Sequence, residues 1–411
     1  MWTDRAPETH RSTTKEILMR VLFATTAGEG HFGPMVPFAR ACAAAGHEVR
    51  VAAPGSFAGA VGRAGLDHLP VPDAPPEELG AVFGRLPSLP FLEANAAVMQ
   101  EVFAGVDARS VLPALREAVR AWRPDLIVRE SAEIASYVVA EQEGVAHVEI
   151  GIATADLDEF ALPLLDEPVR ALGAERGAEG LAAAPVLSVV PEALEDPAKL
   201  GRRAVHRFRY LAGGSDGATL PPPWGDPGAP LVYASFGTVA AAVGLFPVLY
   251  RAVIDAVADM PVRLLLTLGE AGDVEALGPL PANVHVERFW PQAHVMPHAA
   301  AVVGHGGFGT TMTGLAHGVP QVVLPLFAID QHHNAAAVVR SGSGLAVDGF
   351  APGAALPDPV VLAAGLPAAL DAVLGDPALR DGARRVAGAM AALPDPAECV
   401  QLLVRLAEGG G

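Results

Sequence analysis

The sequence predicts an α/β protein of two Rossmann-like, doubly wound parallel-sheet halves. Three observations predict it. Short apolar strands alternate with helices from residue 20 onward, residues 213–230 (GGSDGATLPPPWGDPGAP) break that alternation as a linker would, and a strand ending in a glycine turn restarts it at residue 231. The length of 411 residues leaves room for two to three domains at about 150 residues each. We therefore divide the chain into a loose N-terminal extension (1–18), a first half (19–212), the linker (213–230), a second half (231–390) and a final helix (391–411) that crosses back to the first half.

The elements follow in order. Residues 21–25 (VLFAT) form a strand that ends in a Gly-rich loop at 28–33. Pro34 opens a helix over 35–45, in the position where proline is favoured. Gly46 closes it, and 48–53 (EVRVAA) is the next strand. This unit implies a right-handed crossover and parallel pairing. A helix at 111–122, a strand at 125–128, a helix at 131–142 and a strand at 147–150 continue the pattern. After the linker come a strand at 231–235, a helix at about 246–258, and strands at 263–268, 284–287, 301–303 and 321–324. Helices from about residue 377 close the chain. Residues 73–110 and 155–185 are apolar but irregular and rich in proline.

Composition excludes several classes. Lys and Arg number 28 against 46 Asp and Glu, a formal charge of −18, so a polyphosphate backbone is an unfavourable partner. A 51% hydrophobic share with 18% charged residues argues against disorder. The 44 Gly and 37 Pro have no collagen-like period and read as turns. Two cysteines, Cys42 and Cys399, build no disulfide framework and suit a reducing cytoplasm. No run of about 20 apolar residues appears, and the N-terminus lacks the features of a signal peptide. We expect a cytoplasmic protein without a membrane or nucleic-acid partner.

Gly28-Glu29-Gly30-His31-Phe32-Gly33 matches G-x-G-x-x-G between a strand and a helix. A dinucleotide fingerprint also needs an acid at the end of the second strand, and that strand ends Ala52-Ala53-Pro54. His31 offers a different chemistry. At the carboxyl end of a strand, a neutral imidazole can take a proton from an incoming hydroxyl; the competing reading is a structural loop histidine. Glu130, at the end of another strand, is the candidate that orients it, or else a carboxylate near the start of the following helix.

The second half carries Gly304-His305-Gly306-Gly307-Phe308-Gly309-Thr310-Thr311 between a strand and a helix. Small residues admit a phosphate to the helix N-terminus, whose N–H groups and dipole favour an anion. No Walker lysine is present, so ATP hydrolysis is unsupported. Seven of the 13 histidines lie between His285 and His333, which raises a metal site as the competing idea, but no H-E-x-x-H or C-x-x-C accompanies them. Asp156-Leu157-Asp158 is read as a solvated loop.

These residues together resemble the inverting glycosyltransferases of the GT-B fold, of the natural-product type in glycosyltransferase family 1. The resemblance covers nearly the whole chain from Met19. It rests on Gly30-His31 with Pro34, on Phe289-Trp290-Pro291-Gln292, on the 305–310 block and on Asp330-Gln331. It implies His31 as the base, with Glu130 where the family has Asp. It implies Ser235 and Thr238 near phosphate, Phe289 stacked on the nucleobase, Trp290 beside the pyrimidine edge and Gln292 near the ribose. His305, Gly306, Gly307 and Thr310 would hold the diphosphate, and Asp330 and Gln331 the sugar hydroxyls.

The donor implied is a dTDP- or UDP-sugar, with no metal and no permanently bound cofactor. The acceptor implied is an apolar natural product, which the apolar segments 73–110 and 155–185 would serve unless they are plain core helices. A nucleotide-sugar epimerase of the same fold and a catalytically idle nucleotide- or aglycone-binding partner are the alternatives. The acceptor, the sugar, the bond type (O, N or C), any activator protein and the oligomeric state, a homodimer included, stay open.

Overall fold

The computed structural model describes residues 18–199, 203–212, 219–237, 240–269, 272–349 and 357–409. The expected extension, apart from Leu18, and residues 213–218 of the expected linker lie outside them.

The first half is a seven-stranded sheet: β1 (Arg20–Ala24), β2 (Glu48–Pro54), β3 (Asp67–Val71), β4 (Leu126–Glu130), β5 (Ala146–Ile150), β6 (Val186–Ser188) and β7 (Val205–Arg207). Their spatial order is β3-β2-β1-β4-β5-β6-β7, all parallel. In the second half the described residues form six strands: β8 (Leu231–Ser235), β9 (Arg263–Thr267), β10 (Val284–Glu287), β11 (Ala299–Gly304), β12 (Gln321–Val323) and β13 (Gly344–Ala346). Their order is β10-β9-β8-β11-β12-β13, again all parallel. Each half thus winds outward in both directions from one central strand.

The unbroken apolar runs follow from burial on both faces. Val21 and Phe23 enter one core cluster, Leu22 and Ala24 another. In β8, Val232 and Ala234 face one cluster while Leu231 and Tyr233 face the other. In each sheet the winding reverses between two neighbours, β1 and β4 in the first and β8 and β11 in the second. The loops there part in opposite directions and leave a crevice at the strands' carboxyl ends.

Several elements depart from the pattern read in the sequence. β3 contains Pro70 and buries only Val71, as an edge strand can. β6, β7 and β13 are three residues long, too short to show a period. The irregular segment 73–110 is helical: Pro76–Arg85, Phe91–Ala97, then a π-helical stretch Val98–Asp107 that runs into the helix Ala108–Trp122. The helix expected from residue 131 begins at Ala135. The Glu130 carboxylate takes the Ala132 N–H at 2.7 Å and Glu133 takes the Ser136 N–H at 3.0 Å, which holds 131–134 in a turn.

A capping box, with Asp395 accepting from Ala397 N–H and Glu398 from Asp395 N–H, leads into the last helix, Cys399–Ala407. That helix lies on the first half: Cys399 and Leu403 are fully buried in one cluster with Met35, Phe38 and Cys42. Among the described residues no single helix is long and apolar enough to cross a membrane.

Candidate active site

The reversal point of the first sheet holds His31 and Glu130. His31 does not sit in an extended loop. Gly28 C=O accepts from the N–H of both His31 (3.1 Å) and Phe32 (3.0 Å), which winds Glu29–Phe32 into a helical turn continued by the 3-10 turn Gly33–Met35. This turn aims the imidazole at the end of β4. His31 Nδ1 lies 3.2 Å from Glu130 Oε2.

Glu130 is wholly buried. Its other oxygen accepts from Thr26 N–H at 3.2 Å and Thr26 hydroxyl at 3.1 Å, and these bonds fix the carboxylate. Burial is the largest influence and pulls the His31 pKa down; the Glu130 charge and hydrogen bond, with the Asp330 and Asp107 charges, together outweigh it, and the pKa ends above its ordinary value. Burial pushes Glu130 up, but His31 and the backbone N–H donors hold it below the usual carboxylate range.

A cavity of about 300 Å³ opens in front of His31, walled by Phe83, Val102, Phe103, Val111 and Ile134. Phe103 rests against the imidazole, ring centroids 5.7 Å apart. Three carboxyls, Asp73, Asp107 and Glu133, line this space. Burial, with Glu130 nearby, pushes Asp107 up to about 6, and burial pushes Glu133 up to about 7. Asp107 drew no notice in the sequence, because it ends an apolar π-helical stretch with no motif around it; Glu133, which reads in the sequence as an ordinary surface charge beside Arg129, is buried, as Arg129 is. A larger cavity, about 670 Å³, lies under the ends of β5 and β6. It lacks His31 and is lined by Glu149, which Arg129 and Arg203 flank on both sides, so the smaller one is the candidate site.

The reversal point of the second sheet holds the glycine block. Ser235 ends β8 and is buried; Gly304 ends β11, and His305-Gly306-Gly307 leads into the helix Phe308–Ala316. Gly306 has φ +84°, and a side chain there would stand 2.6 Å from the Gln331 carbonyl oxygen. The Asn334 amide donates to the Gly306 carbonyl at 2.7 Å and braces the loop. Asn334 escaped the sequence reading, although it follows Asp330 by one helical turn. Burial drives the His305 pKa down to about 4, so the side chain is a neutral donor rather than a cation. Gln292 donates to the Thr310 hydroxyl at 2.9 Å, which ties the turn after β10 to the glycine block.

Trp290 is half-buried and donates to Thr219 C=O at 2.9 Å. Phe289 is 73% exposed, the most exposed large apolar side chain among the described residues, so its ring is free to stack. Thr238 lies outside the described residues. The Gln331 side-chain oxygen accepts from the Leu326 and Phe327 N–H groups at 2.8 and 3.1 Å, which leaves its amide nitrogen to offer. Asp330 faces the other half: burial raises its pKa and the His31 charge opposes that rise.

The expectation for Asp156-Leu157-Asp158 needs correction. Neither acid is a solvated loop residue. Asp156 pairs with His333 at 2.9 Å and Asp158 with Arg203 at 2.9 Å. The sequence hid both contacts because the partners are far along the chain. Among the described residues no cluster of three His, Cys, Asp or Glu side chains is placed to hold a metal ion.

Comparison with known proteins identifies the family. Residues 40–195 match the N-terminal domain and residues 251–406 the C-terminal domain of the erythromycin biosynthesis protein CIII-like family. The elloramycin glycosyltransferase ElmGT of Streptomyces olivaceus is 35% identical over 403 residues, 92% of this chain and 95% of that protein. The L-demethylnoviosyl transferase of Streptomyces niveus is 32% identical, over 92% and 96%. The crystal structure of the glycosyltransferase SnogD from Streptomyces nogalater superposes with a TM-score of 0.72 at 29% identity, covering 95% of this chain and all of that one. That of SsfS6 from Streptomyces sp. SF2575, complexed with thymidine diphosphate, gives 0.72 at 25%, covering 94% and 99%. The chain belongs to the erythromycin biosynthesis protein CIII-like family and is a nucleotide-sugar-dependent, natural-product glycosyltransferase of the GT-B fold.

Proposed function

We propose that the chain moves a hexose or deoxyhexose from a dTDP- or UDP-sugar to an apolar natural-product acceptor, with inversion at the anomeric carbon and without a metal. One observation carries this reading. His31, held by Glu130 at 3.2 Å, stands at the mouth of the apolar cavity and within electrostatic reach of Asp330 in the other half. With Nδ1 turned to Glu130, Nε2 is left for the acceptor hydroxyl. It takes the hydroxyl proton as the oxygen attacks the anomeric carbon, and the bond from that carbon to the diphosphate oxygen breaks on the opposite face. The departing charge meets the N–H groups of the Phe308–Ala316 helix, with the hydroxyl of Thr310 and the neutral His305 as further donors. Phe289 takes the base, Trp290 and Gln292 the base edge and ribose, Ser235 and Thr238 phosphate oxygens, and Asp330 and Gln331 sugar hydroxyls.

The thymidine diphosphate in the SsfS6 complex supports a dTDP-sugar ahead of a UDP-sugar. The test is incubation with dTDP- and UDP-sugars and a panel of polycyclic and macrolactone alcohols. The expected result is a product one sugar heavier, with the anomeric configuration opposite to the donor's by coupling constants. Retention would end the single-displacement reading, and a His31→Ala variant as fast as wild type would end the base assignment.

A further inference from the structure

The helix Ile329–Arg340 belongs to the second half by sequence, yet the first half holds it along its length. At its start, Asn95 on the Phe91–Ala97 helix accepts from the Ile329 N–H at 2.8 Å. The Asn95 amide nitrogen donates to the Phe327 carbonyl at 3.2 Å and, on its own helix, to the Phe91 carbonyl at 2.9 Å. One turn further, Asp156 meets His333 at 2.9 Å while the Thr154 hydroxyl holds the same carboxylate. In the last turn, Arg340 donates to the Leu194 carbonyl at 2.7 Å.

Asn95 and Asp156 are 8% and 5% exposed. Burying an amide or a carboxylate is costly unless its polar atoms find partners. Both do, and they find them across the cleft. The Ile329 N–H that Asn95 fixes is one residue from Asp330, and the Phe327 carbonyl belongs to the turn that Gln331 braces from inside. The path of the chain that presents Asp330 and Gln331 is therefore set by the acceptor half. The glycine block meets the first half through a different residue, Tyr210 at the Gly309 carbonyl, and neither Asn95 nor Asp156 bonds to it.

We propose that Asn95 and Asp156 are positioning residues for the donor sugar: the acceptor half uses them to place Asp330 and Gln331 over the hexose. This rests on the assignment of Asp330 and Gln331 to the sugar hydroxyls. It has a second consequence. The Phe91–Ala97 helix runs on into Val98–Asp107, which carries Val102, Phe103 and Asp107 to the acceptor cavity. One continuous element touches the acceptor at one end and sets the sugar contacts at the other.

The experiment compares two probes by calorimetry, thymidine diphosphate and TDP-glucose, on wild type, Asn95→Ala, Asp156→Ala and Asp156→Asn. Loss of positioning weakens TDP-glucose by about tenfold in the two alanine variants and leaves thymidine diphosphate within twofold. Asp156→Asn keeps an oxygen for His333 and stays within threefold on both probes. Equal weakening of both probes, or no change on either, overturns the proposal. Wild-type protein that binds thymidine diphosphate no more weakly than TDP-glucose points instead at the sugar assignment, because no sugar contact then exists to be positioned. A melting temperature that drops alike in Asp156→Asn and Asp156→Ala would mark Asp156 as merely structural.

Discussion

The two halves share one topology and use it in opposite ways. Each places its candidate site where the strand order reverses, between β1 and β4 or between β8 and β11. In the first crevice the side chains are ionisable and tuned: His31 raised, Glu130 lowered, Asp107 near 6 and Glu133 near 7. In the second, the glycine block offers backbone N–H groups, hydroxyls and a histidine held neutral by burial. The fold decides where a site sits, and the side chains decide whether it moves a proton or binds an anion. In the proposed reading this also accounts for how a chain of net charge −18 would hold a diphosphate: the anion would meet helix-end dipoles, whose pull is local.

The comparison can be broken most severely at His31. His31→Ala should lower kcat by roughly 10²–10⁴-fold while thymidine diphosphate binding, measured by calorimetry, stays unchanged. Next comes Gly306→Ala. A side chain at φ +84° and 2.6 Å from a carbonyl oxygen is strained by about 1–3 kcal/mol; affinity for thymidine diphosphate should fall at least tenfold, with less effect on kcat at saturating donor. The two variants together ask whether the crevices are as separate as they look.

Glu130→Gln should cost about 10–100-fold in kcat/KM, as lost orienting partners do. It should also move the pH profile. The proposed base works when neutral, so the rate should fall as pH drops through the His31 pKa, which Glu130 helps to hold above its ordinary value. Without that charge the acidic limb shifts to lower pH. Asp107→Asn should shift the limb in the same direction by less and remove any bend near pH 6. The smallest effect is on stability. Folding keeps His305 neutral down to about 4, whereas the unfolded chain binds that proton in the ordinary histidine range. The unfolded state therefore gains protons first as pH falls, and the melting temperature should decline from that range down to about pH 4. A His305→Gln variant should decline less.

The two crevices were unequally legible in the sequence. The glycine block could be read because one local stretch carries its whole chemistry, and Gly306 stands where only glycine fits. His31 could be read from its place after a strand, and its partner from the end of another strand about 100 residues away. Asp107, Asn95 and the Asp156–His333 pair could not be read, since their meaning comes from what folding brings beside them. β3 was obscured by Pro70, and β6, β7 and β13 by their length. The segment 73–110 looked irregular because its prolines fall at helix starts, as Pro76 does.

The return of the last helix to the first half carries a consequence for synthesis and for engineering. Cys399 and Leu403 complete a core that begins at Met19, so the first half is not a contiguous segment, and the second half is in effect an insertion within it. A ribosome must finish the chain before the first core can close. A chimera that joins the first half of one relative to the second half of another has two seams, and its terminal helix should come from the parent that supplied the N-terminus. Exchanging everything after the linker as one block would set a foreign helix against Met35, Phe38 and Cys42, and would lose stability even with both active crevices intact.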